Sequence, residues 1–245
     1  MGLNQSHLNF IADISKTDDT TRLRKLFDQY LKDNGLRAYV HGFSCFDADV
    51  THNPQAVFMH STLPQELLDV YFEEGGITND PIAATIFNID DPFFLDMADL
   101  PENMSGHNQN PFIQCCVADK FDAATVFPIR ARNGAGSMFV WADGATYNQR
   151  KTNARNALTS GMQHAVRMFH ETIFKGRHVA DSFNLTPKEL EALRLLTQGN
   201  SASDIAAHLD ISERAVEKRL SVARKKIGAT NSVNAVYRAA VLNII

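Results

Sequence analysis

The chain has 245 residues, of which 44% are hydrophobic and 21% charged, and its formal net charge is −4. This is the composition of an ordinary globular protein with enough apolar residues for a core, in one or two domains. It has no apolar run of membrane-spanning length, no signal peptide before residue 30, and three cysteines without disulfide or metal-ligand spacing. We therefore expect a cytoplasmic protein that is reduced, has no metal and does not contact a membrane.

Helical and strand patterns alternate along the first 175 residues. Helices are predicted near 4–15 and 20–34, strands at 38–46 and 56–61, and a helix at 64–74. A short helix is predicted to begin at Asp80-Pro81, followed by a strand pair at 124–131 and 137–144 and a long helix over about 149–174. This order predicts an α+β fold whose N-terminal part is an α/β/α sandwich with a central antiparallel sheet. Such a layered sheet often leaves a cavity between one face and its helices.

Residues 185–245 show the periodicity of four short helices, which predicts an all-α C-terminal domain. Thr186 with Glu189, and Ser201 with Asp204, have the spacing of capping boxes. After a break at Asp210-Ile211, the third helix is predicted to begin at the N-cap Ser212. Its buried stripe is predicted to be Val216, Leu220, Ala223 and Ile227. In the fourth helix we expect Val233, Val236, Ala240 and Val241 to face inward.

Positive charge is concentrated on the third of these helices. Residues 183–245 hold nine basic and six acidic residues, whereas residues 1–182 hold fifteen basic and twenty-two acidic ones. A basic second helix after a short break is the pattern of a helix-turn-helix, in which that helix enters the major groove of DNA. The candidate DNA-binding residues are Arg214, Lys218, Arg219, Ser221, Arg224 and Lys225. The alternative is an ordinary basic surface helix in an all-α domain.

The C-terminal unit resembles the DNA-binding domain of LuxR-type transcription regulators. The resemblance is carried by LT-x-x-E-x-x-x-L at 185–193, Gly199, DIAAHLDIS at 204–212 and the Val/Leu/Lys framework of the third helix. The order of elements before it resembles the autoinducer-binding domain of the same family. The resemblance implies a ligand and dimerisation domain at 1–175, a linker at 176–184 and a four-helix DNA-binding domain at 185–245. It also implies a double-stranded DNA operator, a homodimer and a quorum-sensing signal such as an acyl-homoserine lactone.

Six pocket positions of the family fall here on Leu67, Tyr71, Asp80, Pro81, Leu95 and Ala124. The resemblance implies that the Asp80 carboxylate accepts the amide N–H of an acyl-homoserine lactone and that the Tyr71 hydroxyl reaches the acyl carbonyl. Leu67 and Leu95 stand where the family usually has tryptophans, so the donor to the lactone carbonyl is missing. Trp141, the only tryptophan, shares a strand face with Ser137 and Phe139 and is the candidate to replace it.

The sequence is compatible with more than one function. The first is a LuxR-type regulator controlled by a lactone or by a related non-standard ligand, with no other cofactor. The second is a ligand-independent regulator that acts as a homodimer or through heterodimerisation, with the larger domain as a scaffold. A phosphorylation-driven response regulator is not expected, because residues 1–175 do not show the acidic phospho-acceptor site that such a protein needs. An enzyme is not expected, because the chain has no Gly-x-Ser-x-Gly, His-Glu-x-x-His or Walker motif.

Overall fold

The computed structural model describes residues 5–45, 57–80, 82, 89–100, 110–131, 134–175 and 177–245. Two N-terminal helices come first, α1 (Gln5–Ile14) and α2 (Thr20–Asp33). The side chain of Asp19 caps α2 by accepting a hydrogen bond from the backbone N–H of Arg22 at 2.8 Å. The observed bounds of both helices agree with the predicted ones to within one residue, so both predictions are confirmed.

The five strands in the described part of the chain form one sheet. They are β1 (Leu36–Cys45), β2 (Val57–Ser61), β3 (Phe93–Asp96), β4 (Ala123–Ala131) and β5 (Gly134–Ala142). Their order across the sheet is β2-β1-β5-β4-β3, and every neighbouring pair is antiparallel. The predicted central antiparallel sheet is therefore confirmed. Strand β3 was not predicted, because four residues are too few for the period-2 pattern to be recognised.

Each face of the sheet carries its own apolar core, because side chains alternate along a strand. On the first face, Tyr39 and Phe43 of β1 pack with Phe27 of α2 and Phe169 of a later helix. On the second face lies a separate cluster that includes Trp141 of β5. Helices α3 (Gln65–Glu73) and α4 (Pro111–Ala118) cover that second face. The sheet is thus the middle layer of an α/β/α sandwich, as the sequence predicted.

The long helix predicted over 149–174 is two helices, so that prediction was wrong in one respect. The helices are α5 (Tyr147–Asn156) and α6 (Ser160–Ile173). Thr159 interrupts the helix between them, because its backbone is extended and its hydroxyl accepts a hydrogen bond from the N–H of Met162 at 3.1 Å. A threonine in this role starts a new helix instead of extending the previous one.

The segment predicted as the linker contains a short helix, α7 (Arg177–Ser182). Val179 and Ala180 of this helix are buried in the core of the first face. The hydroxyl of Thr20 donates to Asp181 at 3.2 Å, which joins α7 to the start of α2. The connection between the two parts of the chain is therefore packed against the N-terminal part. The domain boundaries at 175 and 185 stay a prediction.

Four helices form the C-terminal part, and no described helix of the chain is long and apolar enough to cross a membrane. They are α8 (Pro187–Thr197), α9 (Ala202–Leu209), α10 (Glu213–Lys226) and α11 (Ser232–Val241). Both predicted capping boxes are present, at Thr186 and at Ser201. Asp210 adopts the left-handed conformation with φ 52°, which makes the tight break before α10. The predicted stripe of α10 is buried along its whole length.

Helix α11 is rotated relative to the prediction. Val233 is 81% exposed and Ala240 is exposed, so the prediction that they face inward was wrong. The buried residues are instead Ala235, Arg238 and Ala239. Arg238 is 1% exposed, and its Nε donates to the backbone carbonyl of Ile227 at 2.7 Å, which joins α11 to the end of α10.

Candidate functional site

A cavity of about 80 Å³ lies on the second face of the sheet, beneath α3 and α4. Its floor is formed by the same-face positions of β1, β2 and β5, including Val40, Met59 and Phe139. Apolar side chains make up most of the remaining wall, among them Met97 and Phe112. Because a wall of this kind excludes water, the few polar groups in it decide which molecule can bind.

Two of those polar groups are hydrogen-bonded to each other. The hydroxyl of Tyr71, on α3, donates to Oδ2 of Asp80 at 3.1 Å. The other oxygen of Asp80 accepts the backbone N–H of Ile82 at 2.8 Å. Burial, and then the adjacent Asp80, raise the pKa of Tyr71 well above its usual value, so its hydroxyl remains protonated. The wall therefore presents a hydroxyl and a carboxylate that are paired with each other, with the single hydrogen of the hydroxyl directed at Asp80.

Trp141 supplies a third polar group on the same wall. Its ring is 2% exposed, stacks on Phe139 with centroids 5.8 Å apart and meets Phe121 edge-on at 6.4 Å. Within the described part of the chain, its indole Nε1 is buried and has no acceptor. Buried donors are nearly always paired, so an indole without an acceptor beside a cavity calls for an explanation.

The predicted pocket residues divide into two groups. Tyr71, Asp80 and Trp141 line the cavity together. Leu67, Leu95 and Ala124 are at most 2% exposed and belong to the surrounding core cluster. Ala124 of β4 lies directly opposite Trp141 in the sheet, and Leu95 of β3 lies on the far side of Ala124. Pro81 lies outside the described residues.

Some wall residues were not singled out from the sequence as ligand contacts. Ser137 lies on the cavity side of β5, with Met59 of β2 and Met97 after β3 on the same wall. Strand alternation places Ser137 on the face of Trp141, which was the available signal. The sequence around Met59 and Met97 did not indicate a ligand contact, because β2 and the turn after β3 reach this wall only through tertiary packing. No described group of histidine, cysteine or acidic side chains could hold a metal ion.

The second candidate site is the outer face of α10. Arg214, Lys218, Ser221 and Arg224 line one concave surface, together with Glu217 and Ser232. Arg214 and Lys218 are exposed, whereas Arg224 donates to the hydroxyl of Ser232 at 2.9 Å. Arg219 is half-buried and Lys225 is exposed, and neither lines this surface. The structure thus brings together four of the six predicted DNA-binding residues.

One basic residue of α10 has a structural role. Nζ of Lys226 contacts Oε2 of Glu189 and the backbone carbonyl of Asn184, both at 2.7 Å. Glu189 is also the capping-box residue of α8. The end of α10 is therefore joined to the beginning of α8, while the basic residues nearer its N-terminus remain accessible.

Comparison with known proteins settles the family. A family model described as an autoinducer binding domain matches residues 19–173, which is more than half of the chain. A second, described as bacterial regulatory proteins of the luxR family, matches residues 183–239. The chain belongs to the LuxR-type regulators with an autoinducer-binding domain. These regulators are DNA-binding proteins and not enzymes, which confirms the expectations for family and enzyme class.

Relatives of this LuxR-type chain share its fold at low identity. Escherichia coli SdiA matches with a TM-score of 0.52 and 14% identity over 98% of both chains. SdiA in complex with octanoyl-rac-glycerol gives 0.55 and 15%, over 98% of this chain and 97% of that one. CepR2 from Burkholderia cenocepacia, described as N-acylhomoserine lactone dependent, gives 0.50 and 13%, over 66% and 91%. These likenesses confirm the α+β fold with its C-terminal helix-turn-helix.

One curated relative matches over a shorter region. The transcriptional activator protein BjaR1 of Bradyrhizobium diazoefficiens is 36% identical over 76 residues. That region is 31% of this chain and spans 29% of the relative's length.

Proposed function

We propose that this LuxR-type regulator binds a double-stranded DNA operator as a homodimer, under the control of a small molecule in the N-terminal cavity. One observation carries the ligand half of the proposal. The cavity has an apolar wall in which the polar groups of Tyr71, Asp80 and Trp141 converge. Apolar clefts with a few placed polar groups are the usual form of small-molecule sites.

The proposed ligand is an acyl-homoserine lactone or a related acyl compound. CepR2 is described as dependent on N-acylhomoserine lactone, and SdiA is described in complex with octanoyl-rac-glycerol. Both molecules join an acyl chain to a polar head, which suits the apolar wall and its few polar groups. We assign the head contacts to Tyr71 and Asp80, and Pro81, which follows Asp80 in the sequence, stays a candidate from the family resemblance alone. Leu67, Leu95 and Ala124 support the wall from behind.

The proposed DNA contacts follow from the shape and charge of α10. Its concave surface presents Arg214, Lys218, Ser221 and Arg224 beside one another. Arg214 and Lys218, near the N-terminal half, are assigned to base edges or adjacent phosphates. Arg224 and Lys225 are assigned to phosphates, and Arg219 to the edge of the contact.

The net charge of the DNA-binding part and the exposed apolar residues of α11 both support the proposal of a homodimer. The nine basic and six acidic residues of 183–245 give a net charge of only +3, so two copies would double the contacts with DNA. On α11, Val233 is 81% and Tyr237 is 49% exposed, one turn apart on the outer face. We propose this face of α11 as part of the contact between the two copies.

Ligand binding is proposed to act by completing the core beneath α3 and α4. A molecule buried there adds apolar contacts between these helices and the sheet, which stabilises the N-terminal domain. A more ordered N-terminal domain would then fix the separation of the two α10 helices in the dimer.

A second candidate function is regulation without a ligand, as a homodimer or through heterodimerisation. The size of the cavity favours it, since about 80 Å³ is well below the roughly 300–1,000 Å³ of usual ligand sites. A ligand of acyl-lactone size therefore requires side chains of the wall to move. Met59 and Met97 are suited to this, because methionine is unbranched and adapts its shape.

Thermal unfolding separates these two functions. With N-octanoyl-homoserine lactone or 1-octanoyl-rac-glycerol at about 100 times its Kd, ligand control predicts about 2.7 kcal/mol of stabilisation. For a chain of this size that corresponds to a rise in Tm of roughly 5–10 °C. If neither compound changes the Tm and the ligand-free protein binds its operator fully as a dimer, the ligand-independent function is correct.

Lys218→Ala tests the proposed DNA surface. Loss of one contact of this type is expected to weaken operator binding by about 5- to 150-fold, equivalent to ~1–3 kcal/mol. Gel-shift titration over a range of salt concentrations measures it, and a phosphate contact would also lower the salt slope by about one. Lys188→Ala is the control, since Lys188 is exposed in the same domain but lies on α8. Equal affinities for both variants and the parent would remove Lys218 from the surface.

A further inference from the structure

A larger cavity lies on the first face of the sheet, on the side opposite to the cavity described above. Its volume is about 470 Å³, whereas the cavity on the second face measures about 80 Å³. Strand β4 and helix α6 form its main walls, and Phe43 of β1 also contributes. Because usual small-molecule sites measure roughly 300–1,000 Å³, this cavity has the size of a ligand site as it stands.

The inner surface of this first-face cavity is apolar. Phe43, Phe127 and Val166 line it and are buried, and Phe174 lies beside them. All four side chains belong to the apolar core of the first face. This surface suits the hydrocarbon part of a ligand, since apolar atoms gain free energy when they leave water.

The rim of the cavity carries an excess of positive charge. Arg167 of α6 and Lys175, two residues after α6, are exposed, and neither forms an ion pair with a described residue. A third cation, Arg130, contacts Asp90 at 3.1 Å, so its charge is offset. Glu171 is the only acid among the described residues that line the cavity. The charge of the rim therefore favours an anion.

A buried histidine adds a polar group to the same wall. His170 is 6% exposed, and its Nδ1 lies 3.0 Å from Nε2 of His41. Burial lowers the pKa of His170 to about 4, so its ring is neutral at pH 7. Its Nε2 makes no hydrogen bond within the described part of the chain. In the tautomer with hydrogen on Nε2, this atom can donate to an oxygen in the cavity while Nδ1 accepts from His41.

The end of the DNA-binding part also reaches this cavity. Asn243, two residues after α11, is one of the lining residues. Its Nδ2 lies 3.5 Å from the backbone carbonyl of Phe174, at the end of α6. A molecule in the cavity therefore contacts both the N-terminal sheet and the last residues of the C-terminal helices.

We propose that the first-face cavity is a second ligand site, which takes an organic monocarboxylate with an apolar body and joins the two parts of the chain around it. Arg167 and His170, one turn apart on α6, contact the carboxylate, and Lys175 supplies a second positive charge. The apolar body lies against Phe127 and Phe174. This site does not depend on the ligand proposed for the second face, because it has its own walls and the opposite preference for charge.

Calorimetric titration of the full chain with sodium octanoate, octanamide and sodium acetate tests the ligand class. Octanamide keeps the apolar body without the charge, and acetate keeps the charge without the body. Octanoate is expected to bind at least about 10-fold more tightly than either compound.

Variants of the rim test the location of the site. Arg167→Gln and Lys175→Gln are each expected to weaken octanoate binding by about 3- to 10-fold, and the double variant by about 10- to 100-fold, since exposed charges contribute modestly. Asn243→Gly keeps the left-handed backbone at φ 54° and is expected to weaken binding by about 2- to 5-fold. Lys25→Gln is the control, because Lys25 is exposed on α2 outside the cavity and should leave the affinity unchanged.

The outcomes separate this inference from the proposed function. The inference is overturned if octanoate does not bind, if octanamide binds as tightly, or if the double variant keeps the affinity of the parent. It is also overturned if octanoate competes with N-octanoyl-homoserine lactone for one site, and ligand control through the second face then stands. If octanoate binds as expected and neither the lactone nor 1-octanoyl-rac-glycerol binds, the proposed acyl ligand fails while the first-face site stands.

Discussion

Asp122→Asn is expected to lower the free energy of unfolding by about 3–5 kcal/mol, the usual cost of removing one partner from a buried ion pair. Asp122 and Arg150 are 4% and 5% exposed. Arg150 contacts both carboxylate oxygens of Asp122, with Nε to Oδ1 at 2.7 Å and Nη2 to Oδ2. With a neutral amide in place of the carboxylate, the arginine charge remains buried without the carboxylate that contacts it directly.

The pair is important because of what it connects. Arg150 lies on α5 and also donates to the carbonyl of Gly144, while Asp122 immediately precedes β4. It therefore holds α5 against the sheet, close to Phe121, which contacts the indole of Trp141. Loss of the pair is expected to destabilise the N-terminal domain as a whole and to weaken ligand binding as a consequence.

Chemical denaturation measures the effect, with Asp90→Asn as the matched control. Asp90 also pairs with an arginine, Arg130, at 3.1 Å, but its side chain is 85% exposed. An exposed pair contributes only about 0–1 kcal/mol. Equal losses for the two variants would contradict the assignment of Asp122 and Arg150 as a desolvated pair that stabilises the fold.

Acidification from pH 7 to pH 5 is the second large effect expected. Three histidines lie on the first face of the sheet: His41 on β1, His60 on β2 and His170 on α6. Nε2 of His41 and Nδ1 of His170 are 3.0 Å apart, and His41 lies directly opposite His60 in the sheet. Burial lowers the pKa of His60 and of His170 to about 4, and lowers that of His41 well below its usual value.

The direction of the effect follows from these lowered pKa values. A histidine that is neutral when folded stabilises the protein above its unfolded pKa of about 6.5. That contribution is lost as the pH falls from about 6.5 toward 4, because the histidine then binds a proton in the unfolded chain but stays neutral in the folded chain. For His170 alone the loss between pH 7 and pH 5 is about 2 kcal/mol. Arg24 on α2 acts on His41 and His60 in the same direction, since its positive charge also opposes protonation.

Urea unfolding of the parent and of His170→Asn at pH 7 and pH 5 tests this expectation. Asparagine can keep a hydrogen-bonding atom near the position of Nδ1 but does not titrate. The variant is expected to be less stable at pH 7, and its loss on acidification should be smaller by about 2 kcal/mol. His208→Gln, at an exposed position on α9, is the control and should leave the acid dependence unchanged. An identical pH dependence in parent and His170→Asn would contradict the neutral buried state of His170.

Local chemistry explains why so much of the C-terminal domain could be predicted. Helix α10 needs only the period of Val216, Leu220, Ala223 and Ile227 and an N-cap at Ser212, and all of these act within a few residues. The same holds for the capping boxes at Thr186 and Ser201. The basic surface was predictable for the same reason, since four of its six predicted residues share one side of one helix.

The sequence by itself therefore determined the helix-turn-helix, the antiparallel sheet and the family, because caps, periodicity and motif spacing are properties of neighbouring residues. Only the tertiary structure decided which side chains line the cavity. Trp141 lies there beside Tyr71 and Asp80, whereas Leu67, Leu95 and Ala124 lie behind it. The rotation of α11 was likewise decided at a distance, by the bond from Arg238 to the carbonyl of Ile227. Strand register and helix packing join residues far apart in the chain, and no local pattern encodes those contacts.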